Sequence, residues 1–144
     1  MTRAEEPTVI TFHRSDASIV AVQDEIAALW RAHPWIDVVD RMALETALVE
    51  LVTNVIKYAL RDGAETAELQ LIVRDTELTA SVTDHGTAFR GNLSRVTMPG
   101  PEAESGRGLA AISSLTDIFE YRRRAAQNQW TIVRRLTVAD AGAP

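Results

Sequence analysis

The run from Arg41 to Leu60, RMALETALVELVTNVIKYAL, is apolar at helical spacing. Leu44, Leu48, Leu51, Val52, Val55, Ile56 and Ala59 form one broad face. This pattern predicts the main helix of the protein, begun at Asp37 or Asp40 and stopped near Arg61-Asp62-Gly63. A face that wide must be covered by another layer, so the rest of the chain has to supply one. Beside it, Glu50, Asn54 and Tyr58 lie four residues apart and stack along one stripe. A carboxylate and an amide held against a buried face are either structural hydrogen-bonders or parts of a site, and the helix alone does not separate the two.

The covering layer is legible on either side. Thr8–His13 alternates and is rich in β-formers, so a first strand is expected there. A helix follows from about Ala17 to Ala32, capped by Ser15 or Asp16 and closed by Pro34, with Ile19, Val22, Ile26, Leu29 and Trp30 on one face. Beyond the main helix, Glu68–Arg74 and Leu78–Thr83 read as neighbouring strands joined at Asp75-Thr76-Glu77. Residues 87–105 hold Gly91, Pro99, Gly100 and Pro101 and show no period, the pattern of a functional lid or of a disordered segment. A helix then runs to Leu115, and Ile118–Arg122 and Gln129–Val138 form a closing hairpin with Ala126-Gln127-Asn128 near its turn. The Arg122-Arg123-Arg124 run reads as a solvated turn, and Ala139–Pro144 as a frayed tail. The order of elements predicts an α+β two-layer sandwich: a mixed, mainly antiparallel sheet with helices on one face. A chain of 144 residues fits a single domain over 1–144.

Composition excludes several alternatives. The net charge of -5 argues against direct nucleic-acid binding as the main activity. There is no cysteine, so disulfides and thiolate chemistry are out, and no oxidising compartment is needed. The N-terminal residues carry acids and no apolar core, which is not a secretory signal, and no run approaches a membrane span. A cytoplasmic address is expected, without a membrane partner. His13, His33 and His85 have no metal-ligand spacing, so a zinc site is not expected.

Two further stations join the helix stripe. Asp84-His85-Gly86 stands at a strand end, where the acid can accept a hydrogen bond and glycine permits close backbone approach. Gly106-Arg107-Gly108 opens a helix, where free amides and the helix dipole suit an anion such as phosphate. Each alone is commonly no more than a hairpin end or a turn with a cap. Their order, with a long loop between the last two, is the informative fact.

This trio resembles the GHKL or Bergerat-fold ATP-binding family. Glu50-Leu51-Val52-Thr53-Asn54 matches its Glu-x-x-x-Asn box, Tyr58 fills its following His or Tyr position, Asp84-x-Gly86 matches the second box, and Gly106-x-Gly108 the third. Within that family, Glu50-Leu51-Val52-Thr53-Asn54 and Ser105-Gly106-Arg107-Gly108-Leu109 look most like the bacterial anti-sigma-factor serine kinases of partner switching. The resemblance implies ATP or ADP with Mg²⁺ as cofactors and a lid over about 87–105. It places Mg²⁺ on the amide oxygen of Asn54, the adenine amino group on Asp84 and the base against Gly86. The phosphates would meet the amides of Gly106, Arg107, Gly108 and Leu109, with Ser105 and Tyr58 at the nucleotide. Thr131 is a candidate second adenine contact. Glu50 would be the general base, and the Arg107 guanidinium would offset γ-phosphate charge.

The implied partners are a STAS-domain anti-anti-sigma protein as substrate, a sigma factor or equivalent target, and a second copy in a homodimer. For that dimer the first strand and helix, with Ile19, Val22 and Trp30, offer apolar area. The family often has a further glycine near position 88, where this chain has Ala88, so a stiffer lid is expected. The competing reading is a module that binds nucleotide and sequesters a partner without phosphorylating it. A third is an α+β interaction domain that binds no nucleotide.

Overall fold

The computed structural model describes residues 6–62, 65–91, 93 and 104–137, with the backbone alone at 104–107. The expected order of elements is the one found: strand, two helices, two strands, helix, two strands. Strand β1 (Thr8–His13) leads into helix α1 (Asp16–Ala32), where the Ser15 hydroxyl caps the first turn by accepting from the Ser18 amide at 3.1 Å. Helix α2 (Val38–Asn54) is capped by the Asp37 carboxylate, which accepts from the Val39 amide at 2.9 Å. Strands β2 (Thr66–Val73) and β3 (Glu77–Asp84), helix α3 (Glu104–Leu115) and strands β4 (Ile118–Arg124) and β5 (Gln127–Arg135) complete the fold.

The sheet runs β1-β2-β3-β5-β4, and every pairing is antiparallel. The α+β sandwich expected from the sequence is thus realised with no parallel pair. Alternation divides the two faces. Ile10 and Phe12, Leu69 and Leu71, Leu78, Ala80 and Val82, and Trp130 and Ile132 are buried beneath the helices. Glu68, Gln70, Thr79, Ser81, Gln129 and Thr131 take the intervening positions on the other face. Helix α2 lies at the centre of the helical layer, in contact with both α1 and α3, and its Leu44, Leu48, Leu51 and Val52 are fully buried.

The long helix differs from expectation in one respect. It is α-helical only to Asn54; Val55–Ala59 form a π-helical turn closed by the Leu60 amide donating to the Val55 carbonyl at 2.9 Å. The chain leaves the helix at Leu60, ahead of the expected glycine stop, and Gly63 lies outside the described residues. The wider turn rotates Tyr58 out of a strict four-residue stack with Glu50 and Asn54. Tyr58 is 55% exposed.

Two other expectations are corrected. Val22 and Trp30 are buried in the core and Ile19 packs against it, so this apolar area is spent within the subunit and is not a free dimer surface. The Arg122–Arg124 run belongs to β4; the hairpin turn is Ala125-Ala126, both at positive φ (48° and 66°). Most of the expected lid, at 92 and 94–103, and the C-terminal tail at 138–144 lie outside the described residues.

Candidate functional site

Glu50 and Asn54 stand on the last turn of α2, both partly buried, facing the start of α3. A β-carbon placed on Gly108 would lie 2.9 Å from Glu50 Oε2 and 3.1 Å from Asn54 Nδ2. The first and third sequence stations therefore meet, and glycine is what lets them. Asn54 Nδ2 is buried and has no hydrogen-bond partner among the described residues. The α3 backbone is helical from Glu104, so the amides of Gly108 and Leu109 fall within the i→i−4 ladder. The amides left free for an anion are those of the first turn, which carries Ser105, Gly106 and Arg107.

The second station meets the π-helical turn. A β-carbon on Gly86 would sit 2.0 Å from the Ala59 carbonyl oxygen, and the Thr87 amide donates to that same oxygen at 2.9 Å. Ending the helix on a widened turn leaves the Ala59 carbonyl free to receive the chain after β3. Asp84, the last residue of β3, is fully buried. Its Oδ1 accepts from the Gly86 amide at 2.8 Å and from Asn128 Nδ2 at 2.7 Å. Its Oδ2 has no partner among the described residues. A buried carboxylate oxygen without a donor is costly unless a ligand supplies one.

Between these stations lies a mostly apolar cavity of about 330 Å³, lined by Asn54, Val55, Tyr58, Ala59, Thr87–Gly91, Leu109 and Trp130. This volume suits a small organic ligand. The segment that follows β3 is pinned beside it. Asn128 Nδ2 donates to the Thr87 carbonyl (2.9 Å), Tyr121 Oη accepts from the Phe89 amide (3.0 Å), and Arg123 donates to the Gly86 carbonyl (3.0 Å). Phe89 packs on Tyr121 and Trp130, with ring centroids 5.4 and 5.2 Å apart.

Of the residues the sequence singles out, Asn54, Tyr58 and Leu109 line the cavity, Gly86 and Asp84 hydrogen-bond to each other just ahead of its lining residue Thr87, and Glu50 and Asn54 meet Gly108. The side chains of Ser105 and Arg107 lie outside the described residues. Thr131 is not brought to the site. It pairs with Ser81 on the sheet face away from the helices, because it differs in parity from Trp130 and Ile132. The residue on β5 that does reach Asp84 is Asn128, its cross-strand partner, which is 1% exposed. Parity with Trp130 and Ile132 could have found it; placing the hairpin turn at 126–128 took Asn128 out of the strand. Arg123 was likewise missed as a solvated turn residue.

Residues 12–134 match the family described as the histidine kinase-like ATPase domain. The chain belongs to that family. Membership in an ATPase domain family implies nucleotide binding. No curated protein matches the sequence. In fold, this ATPase domain is similar to the RsbU and RsbW domains of Rv1364c from Mycobacterium tuberculosis, with a TM-score of 0.63 and 20% identity over 91% of this chain. The match spans 32% of the mycobacterial chain. It is also similar to the SiaB–SiaC complex from Pseudomonas aeruginosa, at TM-score 0.61 and 10% identity over 89% of each chain. The Acinetobacter baumannii histidine kinase AdeS matches at TM-score 0.52 and 13% identity, over 90% of this chain and 68% of that one.

The residues also fit a shared cation better than a caged one. No group of three or more His, Cys, Asp or Glu capable of holding a metal occurs among the described residues. A hard cation here would take the Asn54 amide oxygen and complete its shell with phosphate and water, the habit of Mg²⁺.

Proposed function

We propose that this ATPase domain is an ATP-dependent protein-serine kinase of a partner-switching system, which phosphorylates a STAS-type antagonist and sequesters a sigma factor or equivalent target. The observation that carries this reading is the placement of a carboxylate, Glu50, and a side-chain amide, Asn54, together against the backbone of Gly108. The fold likeness to a chain that includes an RsbW domain, and to SiaB–SiaC, which is itself a complex of two proteins, supports a protein partner. No helix among the described residues is long and apolar enough to cross a membrane.

A bound Mg-nucleotide supplies the transferable phosphoryl group. Asp84 Oδ2 accepts from the exocyclic amino group of adenine, and Gly86 lets the base approach the backbone. Asn54 would hold the cation, and the first-turn amides of α3 with the Arg107 guanidinium would offset phosphate charge. Glu50 takes the proton from the incoming seryl hydroxyl as that oxygen accepts the phosphoryl group and ADP leaves. Glu50 also lines an open groove with Gln23, Met42, Glu45, Thr46 and Val49, so a substrate hydroxyl can reach it from outside the nucleotide cavity. Dimerisation, if the resemblance to the anti-sigma kinases extends that far, must use surface other than Val22 and Trp30.

The test is incubation with Mg-ATP and a STAS-domain antagonist, read by mass spectrometry for phosphoserine. Glu50→Gln is expected to slow transfer by roughly 10²–10⁴-fold, the usual contribution of a positioned base, and to leave ATP affinity within a few fold. Absence of phosphoserine under conditions where ATP binds would favour the second reading, sequestration without transfer. That reading draws on the position of Glu50 outside the lining of the nucleotide cavity.

A further inference from the structure

The hydrogen bonds of Asn128 are complete. Its Nδ2 donates to Asp84 Oδ1 (2.7 Å) and to the Thr87 carbonyl (2.9 Å), with the Gly86 carbonyl at 3.5 Å. Its Oδ1 accepts from Arg123 (2.8 Å) and from the Tyr121 hydroxyl. The side chain has no capacity left for a ligand. It nonetheless decides what Asp84 can offer. With Oδ1 held by Asn128 and by the Gly86 amide, the carboxylate is fixed in rotation, and Oδ2 is left as the one oxygen without a donor.

We infer that Asn128, braced by Tyr121 and Arg123, is a positioning residue that sets base specificity by presenting Asp84 as a fixed single acceptor while tying the chain just after β3 to the sheet. The inference rests on the nucleotide reading of the Asp84 pocket. A fixed acceptor with no donor beside it welcomes a base bearing an exocyclic amino group. It repels a base with a carbonyl at that place, because two buried acceptors would then face each other. The same side chain bonds the Thr87 carbonyl, and Tyr121 bonds the Phe89 amide, so the segment around Ala88 is held by β4 and β5.

The experiment is calorimetric titration of the whole chain with Mg-ATP and with Mg-inosine triphosphate, which carries a carbonyl where adenine has its amino group. Thermal denaturation of each variant is followed in parallel. The wild type is expected to favour ATP by at least about tenfold, the discrimination of a site built around one hydrogen bond. Asn128→Ala should bring the two affinities to within about twofold of each other, because the Asp84 carboxylate is then free to turn. Asn128→Thr, which keeps a donor within reach of Asp84, should recover part of the preference. Tyr121→Phe keeps the ring and loses the bonds to Asn128 and Phe89, so it should fall between wild type and Asn128→Ala, and it decides the matter if Asn128→Ala does not fold. An ATP-to-inosine-triphosphate ratio unchanged in the folded variants, with only stability lowered, would overturn the role of Asn128 and leave the nucleotide site standing. A wild-type protein that binds neither nucleotide would overturn the nucleotide reading itself.

Discussion

Asp84 and Gly86 act through opposite physical effects at neighbouring positions. Asp84 is buried with one oxygen satisfied and one not, and that imbalance marks a place where a ligand donor is expected. Gly86 matters for what it lacks, since the Ala59 carbonyl would lie 2.0 Å from any β-carbon there. Gly86→Ala is therefore expected to push β3 and the π-helical turn apart, costing about 2–3 kcal/mol of stability as an overpacked contact against rigid backbone. Chemical denaturation measures this, and a loss below half a kcal/mol would mean the contact is loose. Gly108 contrasts with it, because its nearest atoms are the ends of the Glu50 and Asn54 side chains, which can yield. Both glycines stand out in the sequence as punctuation. Which one is locked against backbone and which against side chains depends on contacts distant in the chain, and local pattern does not carry them.

At the scale of elements, periodicity located every strand and helix of the described chain. It failed where the period itself changes. The π-helical turn at Val55–Ala59 follows an apolar run that reads as an ordinary helix, because the i→i+5 bond is selected by docking of Thr87 on Ala59, a tertiary contact. The hairpin turn was misplaced because it holds no turn residue. Ala125 and Ala126 both adopt positive φ, which the side chain disfavours, and neither signals a turn as Asn-Gly would. That shift of two residues hid Asn128. Ala126→Gly should relieve the strain and stabilise the protein by about 1 kcal/mol, the order of the left-handed penalty for one residue. A raised melting temperature checks this, and a lowered one would show that the alanine methyl packs usefully.

Across the whole molecule, one buried ion pair ties the two ends of the fold. Asp40, near the start of α2 and 1% exposed, accepts from Arg134 Nε at 3.0 Å and Nη2 at 2.9 Å, and its other oxygen accepts from the Thr137 amide at 2.7 Å. Arg134 also donates to the Leu115 carbonyl at the end of α3 at 2.7 Å. Helix α2, helix α3 and strand β5 are joined there, at the end of α2 away from Glu50 and Asn54. Removing one partner of such a pair strands the other, so Asp40→Ala should cost about 3 kcal/mol and lower stability without altering base preference. Equal loss of nucleotide selectivity would contradict that separation. In the sequence Asp40 reads only as a candidate helix start and Arg134 has no visible role, since their bond joins residues 94 positions apart.

The account depends on α2, the Asp84 turn and the start of α3 forming one adenine-nucleotide site. Calorimetric titration of Mg-ATP into wild type and Asp84→Asn tests this most directly. A saturable one-to-one isotherm for the wild type is expected, weakened at least about tenfold in Asp84→Asn by loss of the charged acceptor. A wild-type protein that gives no binding heat with ATP or ADP, or an Asp84→Asn variant that binds as tightly as wild type, would contradict it.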